Sequence, residues 1–198
     1  GSNMGLSLPR IRSILGSDFD EIMRVLNEKV QSLSGVHPAV GKFEAAAKSL
    51  SALQYFLRGL GGKDAVSAKK GIASQKYATE EVLIHLSADK SEDVRRSAAE
   101  NLNLPVEFLT QLSSDASEQV RIGVTNNKKI TPDIAKQLSD DTSVVVRSSI
   151  SKNPKTDSST LTKLASDGNP SVRGSVASNP KTNPATLAKL INDEDVSV

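Results

Sequence analysis

Apolar residues recur through residues 79–198 in two short groups per 26 positions, with the same polar spacing between them each time. Counting positions 1 to 26 from Thr79, position 8 is Leu86, Leu112, Leu138, Leu164 and Leu190, and position 16 is Val94, Val120, Val146, Val172 and Val198. Position 5 is Leu83, Leu109, Ala135, Leu161 and Leu187; position 20 is Ala98, Val124, Ile150 and Val176. Apolar residues three and four apart share one face of a helix. Each unit therefore predicts two short amphipathic helices. No insertion interrupts the four full copies (79–104, 105–130, 131–156 and 157–182) or the truncated fifth (183–198). A fixed period of this size predicts stacked repeats, in which each unit buries its apolar face only against its neighbours.

Helix boundaries are written in the polar positions. Position 13 is Ser91, Ser117, Ser143, Asn169 and Asp195, and position 1 is Thr79, Pro105, Thr131, Asp157 and Asn183. Apart from Pro105 these are N-cap residues, whose oxygens accept the orphan N–H groups of a first turn. Pro132, Pro170 and Pro184 follow at first helical positions, where a missing N–H is harmless. Pro105 predicts a first helix starting one residue off. Position 23 is asparagine in every full copy (Asn101, Asn127, Asn153, Asn179), with proline behind two of them. This predicts a helix stop with asparagine in the left-handed conformation.

Position 11 is always aspartate (Asp89, Asp115, Asp141, Asp167, Asp193), and position 17 is arginine in each full copy (Arg95, Arg121, Arg147, Arg173). Stacking would bring the arginine of one repeat to the aspartate of another as a structural ladder of charge-assisted bonds. The competing reading is an anion-binding arginine stripe, which the matched aspartates would neutralise.

The pattern L-x-x-L-x-x-D-x-x-x-x-V-R-x-x-V-A-x-N-P-x-T-x-P, present as LTKLASDGNPSVRGSVASNPKTNP, resembles the leucine-rich repeat variant family. The resemblance covers residues 79–198 and implies a right-handed superhelix of alternating α and 3₁₀ helices. The Asp…Val-Arg spacing also resembles HEAT repeats, and the family unit is slightly shorter than this one. Both points leave open whether the second helix is α or 3₁₀. The family's founding member carries an iron–sulfur cluster on N-terminal cysteines; this chain has no cysteine, so that cofactor does not carry over, and no cofactor is expected.

Ahead of the repeats, Phe19, Ile22, Met23, Leu26, Val30 and Leu33 predict a helix from Ser17 to about residue 34, and a second is expected from Lys42 to Leu60. Residues 53–78 keep the apolar frame at Leu57, Leu60, Ala68 and Ile72. Their polar signature is replaced, with Lys63 for the aspartate, Lys69 for the arginine and Gln75 for the asparagine. The expected organisation is thus a vector-derived remnant (1–3), an N-terminal helical cap (4–52), a degenerate capping repeat (53–78) and the repeats (79–198). Val198 stops mid-repeat, so a longer native protein is expected.

Charge is nearly balanced, at 25 basic and 23 acidic residues. Residues 1–78 hold 11 Lys/Arg against 6 Asp/Glu, and 79–198 hold 14 against 17. That is not the basic excess of a dedicated nucleic-acid binder, and aromatics at 3% are too few for base-stacking platforms. The absence of cysteine excludes disulfides and thiolate chemistry and fits a cytoplasmic setting. No apolar run approaches a membrane span, and no signal peptide is visible. Gly59-Leu60-Gly61-Gly62-Lys63 fails the phosphate-loop spacing and reads as an interhelix turn. His37 and His85 have no partners at metal-ligand spacing, and no nucleophile–base arrangement exists; no enzyme activity or metal is expected.

Positions 15, 18 and 22 are expected to face outward across a concave surface. They read Asp93, Arg96, Glu100; Gln119, Ile122, Asn126; Val145, Ser148, Lys152; and Ser171, Gly174, Ser178. Arg96, Ile122, Val145 and Lys152 are candidate partner contacts. Lys129, Lys155 and Lys181, at position 25, are a candidate basic edge. The reading is an all-α right-handed α-solenoid of two-helix 26-residue repeats with an N-terminal helical cap. Its expected function is a non-catalytic scaffold for a protein or peptide partner, without membrane or small-molecule substrate. The alternative is a HEAT-like nucleic-acid-binding array using the basic edge.

Overall fold

The computed structural model describes residues 38–195 and 197–198. The helix expected at 17–34 and His37 lie outside the described residues. Twelve helices and no strand occur among the described residues. They fall into two compact units, residues up to Leu104 and residues from Pro105. Both units are stacks of short helix pairs, the packing of a helical-repeat solenoid.

In the first unit, α1 (Pro38–Lys48) and α2 (Leu50–Leu57) stand where one long helix was expected. The break is at Ser49, whose backbone is extended (φ −144°, ψ 132°) and whose hydroxyl accepts from Ala52 N–H. A serine that satisfies its own helix start is a stronger local signal than the continuing apolar spacing. The chain then turns through Gly59, whose φ of +79° is the left-handed conformation that glycine adopts freely. α3 (Gly62–Ala73) follows, packed against α1. Phe43 and Phe56 meet edge-to-face at 5.8 Å. Gly71 gives them room: a Cβ there would lie 3.2 Å from the Phe43 ring. α4 (Glu80–Ser87) and α5 (Glu92–Glu100) complete the unit, with α5 against α3 and α4.

The second unit holds α6 (Val106–Leu112), α7 (Glu118–Asn126), α8 (Pro132–Ser139), α9 (Val144–Lys152), α10 (Ser158–Leu164), α11 (Pro170–Ala177) and α12 (Pro184–Ile191). The second helices α7, α9 and α11 pack in sequence, as do the first helices α8 and α10. All four second helices are α-helices of eight or nine residues, which settles the α against 3₁₀ question. The periodic leucines and valines form the core: Leu83, Leu86, Leu109, Val120, Leu138, Val146, Ile150, Leu161, Val172 and Val176 are buried. Thr131, Asp157 and Asn183 cap first helices by accepting from Ile134, Thr160 and Thr186 N–H. Pro105 does not shift its helix. α6 still begins at position 2, because a proline with ψ of 146° supplies the extended N-cap backbone without a side-chain bond.

Candidate functional site: three polar rails and a variable face

The first rail is ionic. Arg121 Nε and Nη2 donate to Asp141 Oδ2 and Oδ1 at 2.6 and 3.1 Å. Arg147 forks onto Asp167 at 2.7 and 3.1 Å, and Arg173 onto Asp193 at 2.7 and 2.8 Å. Each arginine also donates Nη1 to the backbone carbonyl of the aspartate in its own repeat: Asp89 for Arg95, Asp115 for Arg121, Asp141 for Arg147 and Asp167 for Arg173. Each aspartate meanwhile accepts the N–H of the residue two places on, as in Ser117 to Asp115 and Asn169 to Asp167. One arginine thus joins three parts of the stack, with both ionic partners mostly sheltered from water. The hydrogen bond to Asp141 raises the pKa of Arg121, and that to Asp167 raises Arg147. Burial pushes Asp167 upward, but the bonds from Arg147 and Asn169 outweigh it and its pKa is lowered. Asp193, held by Arg173, falls to about 2.

The capping repeat keeps one rung of this rail through its replacement residue. Lys69 Nζ donates to Asp89 Oδ2 at 2.6 Å, so lysine holds the rung that arginine holds elsewhere. An ammonium meets the charge requirement without the fork.

The second rail is asparagine. Asn153 Nδ2 donates to the carbonyls of Thr125 and Asn127 at 2.6 and 3.2 Å, and its Oδ1 accepts from Lys155 N–H at 2.7 Å. Asn179 repeats the pattern on Ser151, Asn153 and Lys181, and Asn101 on Ala73, Gln75 and Asn103. The left-handed helix stop expected here is wrong. Asn153 is extended, with φ of −68° and ψ of 127°, and no residue other than glycine has positive φ among the described residues. Its amide is spent on the preceding repeat. The third rail is short: Thr156 and Thr182 hydroxyls donate to the Ile150 and Val176 carbonyls, which also accept the Asn153 and Asn179 N–H groups.

The outward positions differ from these rails. Val145 is 53% exposed, and Lys152 is exposed. Arg96 donates to Glu100 along α5 at 3.1 Å. Ile122 is half-buried, so it is not the exposed apolar contact expected. In two copies position 18 lies toward the following repeat instead of solvent: Ser148 and Ser175 hydroxyls are 2.8 Å apart, and a Cβ on Gly174 would lie 3.5 Å from the Ser197 carbonyl. Lys129, Lys155 and Lys181 are exposed. His85 is exposed, and no group of metal-binding side chains occurs among the described residues.

No known family model matches this sequence, and no curated protein matches it. A solved structure described as a leucine-rich repeat variant with a novel repetitive protein structural motif is similar to it. The two are 19% identical, and the match covers 89% of this chain and 85% of that one with a TM-score of 0.38. The fold itself stands on this chain's own helices and rails. No helix among the described residues is long and apolar enough to cross a membrane.

Proposed function

We propose that this protein is a non-catalytic repeat scaffold that binds a protein or peptide partner, working in the cytoplasm. The observation that carries this is the division between frame and face. The recurring aspartates, arginines and asparagines are engaged inside the stack, the first two in the ionic rail and the third in the amide rail. The exposed outward positions do not recur, reading Gln119 and Asn126, then Val145 and Lys152, then Ser171 and Ser178. A repeating polymer is best met by repeating contacts, whereas a folded protein or a peptide of mixed sequence is met by a varied surface on a rigid frame. The absence of cysteine supports a reducing compartment.

The test is capture of a partner by the immobilised chain, compared with Val145→Asp and Lys152→Glu variants of unchanged circular dichroism. A genuine partner should be retained by the native chain and lost by about ten-fold or more on these changes, the scale of a central contact. Equal capture by the native chain and both variants refutes this face. Binding of duplex nucleic acid at physiological salt in place of a protein refutes the partner class.

A further inference from the structure

We infer that the loops following α7, α9 and α11 form a lysine rail that docks an extended acidic protein segment; this rests on the scaffold reading and names the chemistry of its partner. The rail is built by the asparagine ladder. Lys129, Lys155 and Lys181 each donate their backbone N–H to the Oδ1 of the asparagine two residues earlier, Asn127, Asn153 and Asn179. Asn153 in turn donates to the Asn127 carbonyl, and Asn179 to the Asn153 carbonyl. The three lysine-bearing loops are therefore tied to one another through buried amides, at the same point of each repeat. Their side chains are left outside. Lys128 and Lys152 widen the row at the same end of the second helices, and all five lysines are exposed.

Four of these five charges are not used internally. Lys128, Lys152, Lys155 and Lys181 make no ion pair among the described residues. Two lysines of the first helices behave otherwise: Lys163 reaches Asp140 at 2.5 Å, and Lys189 reaches the Ser166 hydroxyl at 2.6 Å. The acidic residues closest in sequence to these loops are Asp133 and Asp157. Burial pushes the Asp157 carboxyl up, but its bonds from the Ser159 hydroxyl and from the Thr160 hydroxyl and N–H outweigh this and hold its pKa at about 2. Four cations without an ion pair thus stand near two carboxylates in the sequence, one of them already engaged.

The chemistry favours carboxylates over phosphates. The arginines of this unit with a fork suited to phosphate, Arg121, Arg147 and Arg173, are locked onto aspartates. The only aromatic residue from Pro105 onward is Phe108, in α6, so no ring stands on the rail for base stacking. Packed helices lie roughly 10 Å apart, which spaces the lysines similarly. An extended peptide advances about 3.3 Å per residue, so a carboxylate at every third residue matches the spacing.

The probe is a fluorescein-labelled peptide of about nine residues with glutamate at every third position, read by anisotropy at about 100 mM salt. We expect saturable binding that weakens with salt. It should fall about ten-fold or more in the triple variant Lys129→Gln, Lys155→Gln, Lys181→Gln, and little in the charge-matched triple Lys63→Gln, Lys90→Gln, Lys136→Gln. Absence of binding, or equal weakening by the two triples, overturns the rail. So does tighter binding of a short DNA duplex through the same three lysines, which would assign the rail to nucleic acid. The scaffold reading is judged separately. A captured partner lost by Val145→Asp but retained by the rail triple would leave the scaffold standing and the rail refuted.

Discussion

Replacing Asn153 with glycine separates two explanations of the position-23 asparagine. If the residue were a left-handed helix cap, glycine would be tolerated or stabilising, since it adopts that conformation without a Cβ clash. In the structure Asn153 is extended and buried, and its side chain makes three hydrogen bonds. Glycine removes all of them. The carbonyls of Thr125 and Asn127 lose a donor, and Lys155 N–H loses its acceptor. A typical bond is worth about 1 kcal/mol net, and a buried group left unpaired costs about 1–3 kcal/mol. Lys155 is exposed, so water replaces part of what that N–H loses. The expected destabilisation is then about 3 kcal/mol, with up to about 1 kcal/mol more from the added backbone freedom of glycine.

For a chain of this length, about 1 kcal/mol moves Tm by roughly 2–4 °C, so a drop of about 6–12 °C is expected. Thermal and urea unfolding followed by far-UV circular dichroism would measure it. Asn153→Ala should lose nearly as much, and Asn153→Asp at least as much, because a carboxylate would face two carbonyl oxygens. A Tm for Asn153→Gly equal to or above that of the native chain would refute the ladder and restore the cap.

The ionic rail gives a second contrast: Arg147→Ala should destabilise by about 2–4 kcal/mol, since it leaves Asp167 sheltered without its partner, whereas Lys155→Ala should stay within about 0.5 kcal/mol. Equal urea midpoints would contradict this. At the capping repeat, Lys69→Arg should preserve stability and Lys69→Met should reduce it, because Asp89 needs a cation and not a particular fork; a neutral Lys69→Met in the same assay would remove that rung. Acid should weaken the stack: the folded pKa values of Asp167, Asp157 and Asp193 are lowered, so their contribution is complete above the ordinary carboxylate value of about 4 and is lost as pH falls toward about 2. A Tm that does not fall between about pH 5 and pH 2 would exclude these carboxylates as stabilising groups.

The frame was legible because its physics is local and periodic. Leucine at position 8 and valine at position 16 are buried in successive copies, and threonine, aspartate or asparagine at position 1 caps the first helix. Two local competitions were harder to read. Between Lys42 and Leu60 the apolar spacing runs through Ser49 without a gap, and only the N-cap geometry of that serine divides the helix. At position 18 the helical wheel points outward, yet the close stacking of second helices shelters Ile122 and brings Ser148 to Ser175. A wheel drawn for one helix contains no information about how closely the next one lies.

The asparagine shows why a recurrent polar residue resists interpretation from sequence alone. Asn-Pro behind a helix is a plausible stop, and that reading used only the residue's own backbone. The observed role depends on carbonyls 26 and 28 residues earlier, which become neighbours only once the repeats stack. The aspartate–arginine pair reaches across 20 residues in the same way, but opposite charges signal their partner's type, whereas an amide can pair with any carbonyl. Once both rails are assigned, recurrence with an internal partner marks the residues that build the frame. The signal for binding then lies in residues that depart from the repeat while staying exposed, such as Val145 and Lys152, or that recur with exposed side chains making no ion pair among the described residues, such as Lys155 and Lys181.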